Sequence, residues 1–428
     1  MSGKVRSILL AAGILLGAAS LYAEDDTGAY TGFTPYSVFG FGDLYTMGSA
    51  YTASMGGVGI ASRNNRFINP MNPASVTARD SLSVMMDFSI TGCSKFYSQA
   101  SGSSVKRSVN NVFNIGDCIM SFPIYRSSAM MVGIMPYSST GYNYVHAETD
   151  PVTIANVGNV DYNYYGQGGI YKIFAAAGVT FFKRLSLGVE GIYYFGNILK
   201  SRSISFTDPS YLSSTYLDRV NVNTFSAKFG MQYSQPVGDR MELGFGATYN
   251  LGSKLRGSIT NTGAEGTLGD IHFGNELGLG VSFTYRDKLR FEFDFLNSDW
   301  RSSGFEEDPF FSASRGDFPF KADVGSSFRA GVEYIPDRRD ARYYLKTVAY
   351  RLGAFYNKEY FKVAGHNVDA KGITLGATFP IFNFNAVTVA VELGERGTLE
   401  NSLVQERYIG FHFSANLYDR WFHRMQYE

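Results

Sequence analysis

Beyond residue 80 the chain alternates apolar and polar residues with a period of two. Along Ser81 to Thr91, Leu82, Val84, Met86, Phe88 and Ile90 stand against Ser83, Met85, Asp87, Ser89 and Thr91. The clearest run sets Leu289, Phe291, Phe293 and Phe295 against Arg290, Glu292 and Asp294, and Ile409, Phe411, Phe413, Ala415 and Leu417 repeat the pattern near the end. Residues two apart share one face of a strand, so each run predicts a strand with one oily and one polar face. Such runs number about fourteen, near 82–92, 110–125, 128–146, 168–182, 185–206, 219–234, 240–260, 270–285, 288–300, 324–335, 347–359, 369–380, 385–396 and 404–417.

A soluble β-sandwich also alternates, so the chemistry of the two faces decides the class. The polar face here is largely Gly, Ser, Thr and charge, including Gly188, Gly244, Gly246, Gly278, Gly280 and Gly376. Gly leaves nothing to pack on a water-facing strand. Oily residues facing lipid, a polar lumen and aromatics near strand ends predict an all-β, transmembrane antiparallel β-barrel of about 14 strands over residues 81–428. Lys183-Arg184, Val237-Gly238-Asp239 and Asp287-Lys288 read as short periplasmic turns. Longer links at 147–167, 207–218, 261–269, 301–323 and 336–346 read as outward loops, the first with room for an extra hairpin.

Residues 1–23 have the layout of a secretory signal peptide: Lys4 and Arg6, the apolar stretch Ile8 to Leu16, then small residues. Cleavage is expected after Ala23, with Ser20 as the alternative, and the next residue is Glu24 rather than the Cys of a lipid anchor. No later stretch reaches the ~20 apolar residues of a spanning helix. The expected location is the outer membrane, in contact with its lipid. Formal charge balances to zero and no basic stripe interleaves with aromatics, so nucleic acid is not an expected partner.

Residues 24–80 lack either period and are rich in Gly and Asn, with Phe39, Phe41, Met47, Met55, Val58 and Ile60 among them. So many apolar residues disfavour a solvated tail, and the small inward residues of the strands leave room in the lumen. The segment is therefore expected to be an N-terminal plug, or hatch, inside the barrel. Its run Gly48 to Ala61, followed by Asn72-Pro73-Ala74-Ser75 just before the first strand, resembles the plug region of the FadL family of outer-membrane transporters. That resemblance implies a hatch-closed barrel, commonly a monomer, importing hydrophobic small molecules such as long-chain fatty acids. It also implies capture among extracellular loops and lateral exit near the third strand. There Pro136 and Gly141 weaken the wall, as a gate or as an ordinary strand end. The loop aromatics Phe305, Phe310, Phe311, Phe318 and Phe320 form either a ligand-capture surface or packing against neighbouring loops. Some relatives with this barrel act in type IX protein secretion, so binding of a secreted cargo protein at the loops stands as the alternative function.

The alternation also points charges inward. Plug residues Arg63 and Arg66 are candidate partners for lumenal Glu242, Glu276 and Glu292, ion pairs that would hold the hatch shut. His412 and Ser414 share a face on the last strand, but no lipid-facing nucleophile with a base and oxyanion site accompanies them, so no enzyme is expected. The histidines lack ligand spacing for metal, and no cofactor motif is present. Cys93 and Cys118 fall on opposite faces, which predicts two free thiols.

Overall fold

The computed structural model describes residues 33–420, apart from 81–82, 102–103, 126, 263, 267, 313–319, 341, 382–384 and 401–402. The expected signal peptide and Phe318 lie outside the described residues. In chain order the strands are β1 (Asp43–Leu44), β2 (Ser83–Ser101), β3 (Ser104–Tyr125), β4 (Ser128–Ala147), β5 (Val160–Phe181), β6 (Leu185–Phe206), β7 (Ser214–Val237), β8 (Met241–Asn250), β9 (Gly257–Asn261), β10 (Ala264–Gly266), β11 (Asn275–Tyr285), β12 (Leu289–Asp299), β13 (Phe320–Ala322), β14 (Val324–Tyr334), β15 (Ala349–Val363), β16 (His366–Pro380), β17 (Ala386–Arg396) and β18 (Val404–Arg420). Apart from the short β1, β9, β10 and β13, they form a closed antiparallel barrel of 14 strands. Closure is made by β18 against β2, from Arg420 opposite Ser83 to Val404 opposite Gln99.

Period two is realised as expected. Phe245, Leu279, Phe293, Val389 and Phe411 are exposed on the outside, while Glu190, Thr248, Asp294 and Ser414 are buried inside. Exposed rings gather toward both strand ends, with Tyr125, Phe182 and Tyr334 at one and Phe96, Tyr144 and Tyr249 at the other, the girdle arrangement of a barrel in a bilayer. No helix among the described residues is long and apolar enough to cross a membrane.

Both barrel termini lie at one end, called lower here, which also carries the tight links at 182–184, 238–240 and 286–288. The link at 335–348 lies at this end too, not among the outward loops as its length suggested, because it joins the same parity of strands as the tight turns. The 148–159 link holds a helix, Pro151–Val157, instead of an extra hairpin; Asp150 caps it by accepting from Val152 N and Thr153 N.

Residues 33–80 sit inside the lumen, fitted to a ladder of wall glycines. A Cβ at Gly188 would lie 2.4 Å from Ala74 N, one at Gly246 2.2 Å from Ile60 O, and one at Gly353 2.1 Å from Gly56 N. Only a wall without side chains at these positions lets the plug backbone approach so closely. Gly353→Val should cost at least ~1–3 kcal/mol of overpacking and unseat the plug. Ion leak through purified barrels in planar bilayers is expected to rise, whereas Gly191→Val, with nothing within 4 Å of its Cβ, should leave it at background.

Candidate functional site: plug, lid and wall seam

The Asn72-Pro73-Ala74 motif acts as a joint between plug and wall. Asn72 Oδ1 accepts from Ala74 N at 3.0 Å, capping the turn Pro73–Ala78. Its Nδ2 donates to Ile60 O at 2.8 Å within the plug and to Met231 O at 3.1 Å on β7. An amide supplies both acceptor and donors, which neither a carboxylate nor an apolar residue could do. Pro73 fits the first turn position, where an N–H is not needed, and Ala74 is fully buried.

The charged contacts between plug and wall run opposite to the expected direction. Arg63 donates to Ser186 Oγ at 2.6 Å, Gln232 Oε1 at 3.3 Å and Thr77 Oγ1 at 3.3 Å, rather than pairing with Glu242, Glu276 or Glu292. Glu292 lies 3.8 Å from Arg290 on its own strand, Glu242 accepts from Ser234, and Glu276 lines the cavity described below. Arg66 is at the lower mouth, where Arg338 and Arg339 line the same open space. It is instead the barrel that grips the plug main chain. Asp294 Oδ2 on β12 accepts from Gly59 N at 2.7 Å and Ile60 N at 2.9 Å. Arg329 on β14 donates to Thr46 O at 2.6 Å and Gly57 O at 3.0 Å. Arg351, paired with Glu333 at 2.9 Å, lies 4.5 Å from the Tyr51 ring centre. Besides Arg63, the plug contributes Asp43, held by Arg396 at 2.6 Å and Lys95 at 3.3 Å.

Above the plug, the loop aromatics are packed rather than displayed. Phe305 and Phe311 are fully buried and Phe310 nearly so. Phe305, Phe311, Phe273 and Trp300 all contact the Phe41 ring, with centroids 4.7–6.0 Å away. Phe320 stacks on Phe39 at 5.2 Å. Of the two sequence readings, packing against neighbours is the one realised. These rings form a lid over the plug, clasped from β6 by Lys200, whose Nζ donates to Val38 O at 2.7 Å and Phe310 O at 2.5 Å. Where the lid returns to β14, partial burial raises the Asp323 carboxyl, but the Val324 N–H and the Lys362 and Lys358 ammonium groups outweigh it and hold it at about 2.

The wall itself is interrupted at one place. β3 pairs with β4 only between Cys118–Tyr125 and Ser128–Ile134. Above that point β3 stays with β2 up to Ser104 and β4 stays with β5 up to Ala147. Pro136 sits at the register shift where β4 bends, and it lacks an N–H for the ladder. The plug takes the edge that β3 vacates. Leu44 and Asp43 of β1 pair with Ser138 and Ser139, Tyr45 N donates to Tyr137 O at 2.8 Å, and Thr34 N donates to Gly141 O at 2.8 Å. Behind β1 is a cavity of about 240 Å³, apolar at Leu44, Met47, Val112 and Leu296 and otherwise strongly charged, with Asp43, Lys95, Glu276, Arg329, Glu359 and Arg396 in its lining. Its wall includes Asn114 of β3 and Ser139 of β4, one from each side of the seam.

His412 is engaged with Glu392 at 3.0 Å, and Ser414 is buried on the lumenal face, so this pair presents no nucleophile to lipid. Cys93 stands opposite Val112 and Cys118 opposite Phe88, well apart along the β2–β3 ladder, and both thiols are free.

The family model described as BamG matches residues 5–428. No curated protein matches the sequence. Among solved structures, the chain is similar in fold to the Pseudomonas putida toluene transporter TodX, at 9% identity and TM-score 0.55, covering 90% of this chain and 100% of that one. The Ralstonia pickettii toluene transporter TbuX follows at 14% identity and TM-score 0.51, covering 89% and 99%. A Pseudomonas aeruginosa FadL homologue matches at 12% identity and TM-score 0.51, covering 92% and 100%. The fold is therefore of the FadL type.

Asn72→Asp keeps the acceptor for Ala74 N but removes every bond the amide donates, to Ile60 O, Met231 O and Ala247 O, and buries a charge, a loss of about 1–3 kcal/mol or more. Protease cleavage near Arg63 in detergent-solubilised protein should accelerate relative to wild type.

Proposed function

The chain belongs to the BamG family, and from its fold we propose that it is an outer-membrane conduit for hydrophobic small molecules, closed by its plug and discharging sideways through the β3–β4 seam. In this reading a monomer is exported by a signal peptide at residues 1–23, cut after Ala23. Residues 24–80 serve as its hatch, residues 81–428 as its barrel, and the lower end faces the periplasm. The observation that carries the reading is the seam: a cavity lined from both β3 and β4 is separated from the break in the wall by the two residues of β1. A molecule leaving there breaks a few plug hydrogen bonds to β4 and no barrel ladder. Pro136 and Gly141 are the gate residues of this reading, one at the bend and one where the plug's first residues attach.

Likeness to toluene transporters and to a FadL homologue supports apolar cargo. The cavity of about 240 Å³ has room for one aromatic ring or a stretch of acyl chain, whose contacts would be Leu44, Met47, Val112 and Leu296 beside the charged part of the lining. Phe305, Phe310, Phe311, Phe318 and Phe320 would meet the ligand once the lid lifts from Phe41. The secretion alternative needs a broad, polar loop face for a cargo protein, whereas the loop around Phe305, Phe310 and Phe311 is aromatic and folded into the lid.

The test locks the seam cover. In a Cys93→Ser/Cys118→Ser background, Leu44→Cys with Ser138→Cys places two thiols on paired residues of β1 and β4. Oxidation should abolish uptake of radiolabelled toluene or oleate by cells carrying the variant, and a reductant should restore it; full uptake with the disulfide formed rejects sideways exit. An organic extract of the purified protein, compared with that of an unrelated barrel, should be enriched in one hydrophobic class. An extract matching the control rejects uptake itself.

A further inference from the structure

Two carboxylates are buried in the barrel wall below the cavity with no Lys or Arg paired to either among the described residues. Asp87 on β2 is 3% exposed and Asp117 on β3 is 1% exposed. A register shift between Phe88 and Ile90 displaces Ser89, and Asp117 N donates to Ser89 Oγ at 2.8 Å. This bulge aims Ser89 toward Asp117. Gly116 permits the approach, since a Cβ there would lie 2.3 Å from Ser89 Oγ. The two carboxylates are each other's charged neighbours.

Asn416 on β18 supplies the second observation. It stands directly opposite Asp87 across the closing ladder, is 2% exposed, and neither its Oδ1 nor its Nδ2 has a hydrogen-bond partner. Neither oxygen of Asp117 meets a donor at bonding geometry either, although the Ser89 hydroxyl lies beside it. Ser414, opposite Ser89, faces Asp87. The nearest ionisable side chain from β18 is His412, already engaged with Glu392. Buried amides and carboxylates are ordinarily hydrogen-bonded, so Asp117 and Asn416, both without partners on either side of Asp87, whose carboxylate is bonded by Ser414, mark a place where something else completes their coordination.

We propose that Asp87, Asp117 and Asn416 bind a divalent hard cation, Ca²⁺, with the hydroxyls of Ser89 and Ser414 beside it. All donors are oxygens, which selects a hard ion over zinc or copper. Two carboxylates balance its charge, and calcium accepts the irregular geometry of ligands on three strands where magnesium demands a regular octahedron. No group of three or more His, Cys, Asp or Glu suited to a metal occurs among the described residues; this site takes its third ligand from an amide. The ion ties β18, β2 and β3 together at the closure of the barrel, beneath the part of β3 that leaves β4. The proposal stands apart from the uptake reading, since it concerns the wall below the cavity.

Equilibrium dialysis of the detergent-solubilised full chain, stripped with chelator and exposed to ⁴⁵Ca²⁺, tests it directly. The wild type should retain about one calcium per chain with carboxylate-site behaviour. Asp87→Asn/Asp117→Asn, verified as folded by its heat-modifiable mobility, should lose at least ten-fold in affinity. Asn416→Ala, which keeps both carboxylates, should weaken binding without abolishing it. Absence of bound calcium on the wild type overturns the proposal whatever the variants do, because protons then neutralise the pair. Equal binding by wild type and the double variant overturns it as well, because the ion then sits elsewhere.

Discussion

The seam between β3 and β4 is the constraint around which the rest of the molecule is arranged. A strand edge facing hydrocarbon leaves N–H and C=O groups without water or partner, at several kcal/mol each. A barrel normally avoids this by closing every ladder. Here one ladder stops at Cys118 and Ile134, and the plug supplies the missing neighbour for β4 through Asp43, Leu44, Tyr45 and Thr34. The plug is thus both a stopper in the lumen and a piece of the wall. That dual duty explains why its first described residues run along the upper half of β4 before the chain descends to the lower mouth and enters β2.

Holding an irregular segment inside a barrel raises a second physical problem, since its main-chain groups are buried without regular ladders to satisfy them. The wall solves it with side chains aimed at those groups: Asp294 for two N–H donors, Arg329 and Gln232 for carbonyls, Thr374 for Gly56 N. Charges that repay their desolvation through several hydrogen bonds hold geometry better than isolated ion pairs do. The glycine ladder brings the plug near enough for these bonds to form. Close approach and polar anchoring are therefore one device, and neither would serve without the other.

Much of this was legible in the chain. Strand number and the lipid-facing and lumenal sets follow from period two, and the position of the plug motif from a few residues at fixed spacing. Link placement was read from length, and the 335–348 link shows why that fails: the side of a connection is set by the parity of the strands it joins. The plug contacts were hidden for a different reason. Alternation marks Asp294 and Arg329 as inward but carries nothing about the depth at which residues more than two hundred positions apart meet, so Arg63 looked like the anchor when Ser186 and Gln232 were its partners. The aromatic link likewise showed its composition but not its fate, since an apolar loop is exposed or buried according to what stands beneath it, here Phe41.

The lid and the seam cover share one short stretch of chain. Phe39 and Phe41 carry the stacked rings of the lid, Tyr360 donates to Gly42 O at 2.8 Å, and Asp43 and Leu44 cover the seam while Asp43 is gripped by Arg396 and Lys95. Gly40 and Gly42 both have positive φ, so the stretch is bent tightly between its two tasks. Phe41 and Leu44 are only three positions apart along the chain, with Gly42 between them. Covalent continuity therefore ties the lid rings and the β1–β4 pairing to one another without a longer chain of contacts. The lid above and the seam cover at the wall are thus joined by the same few residues along the cavity.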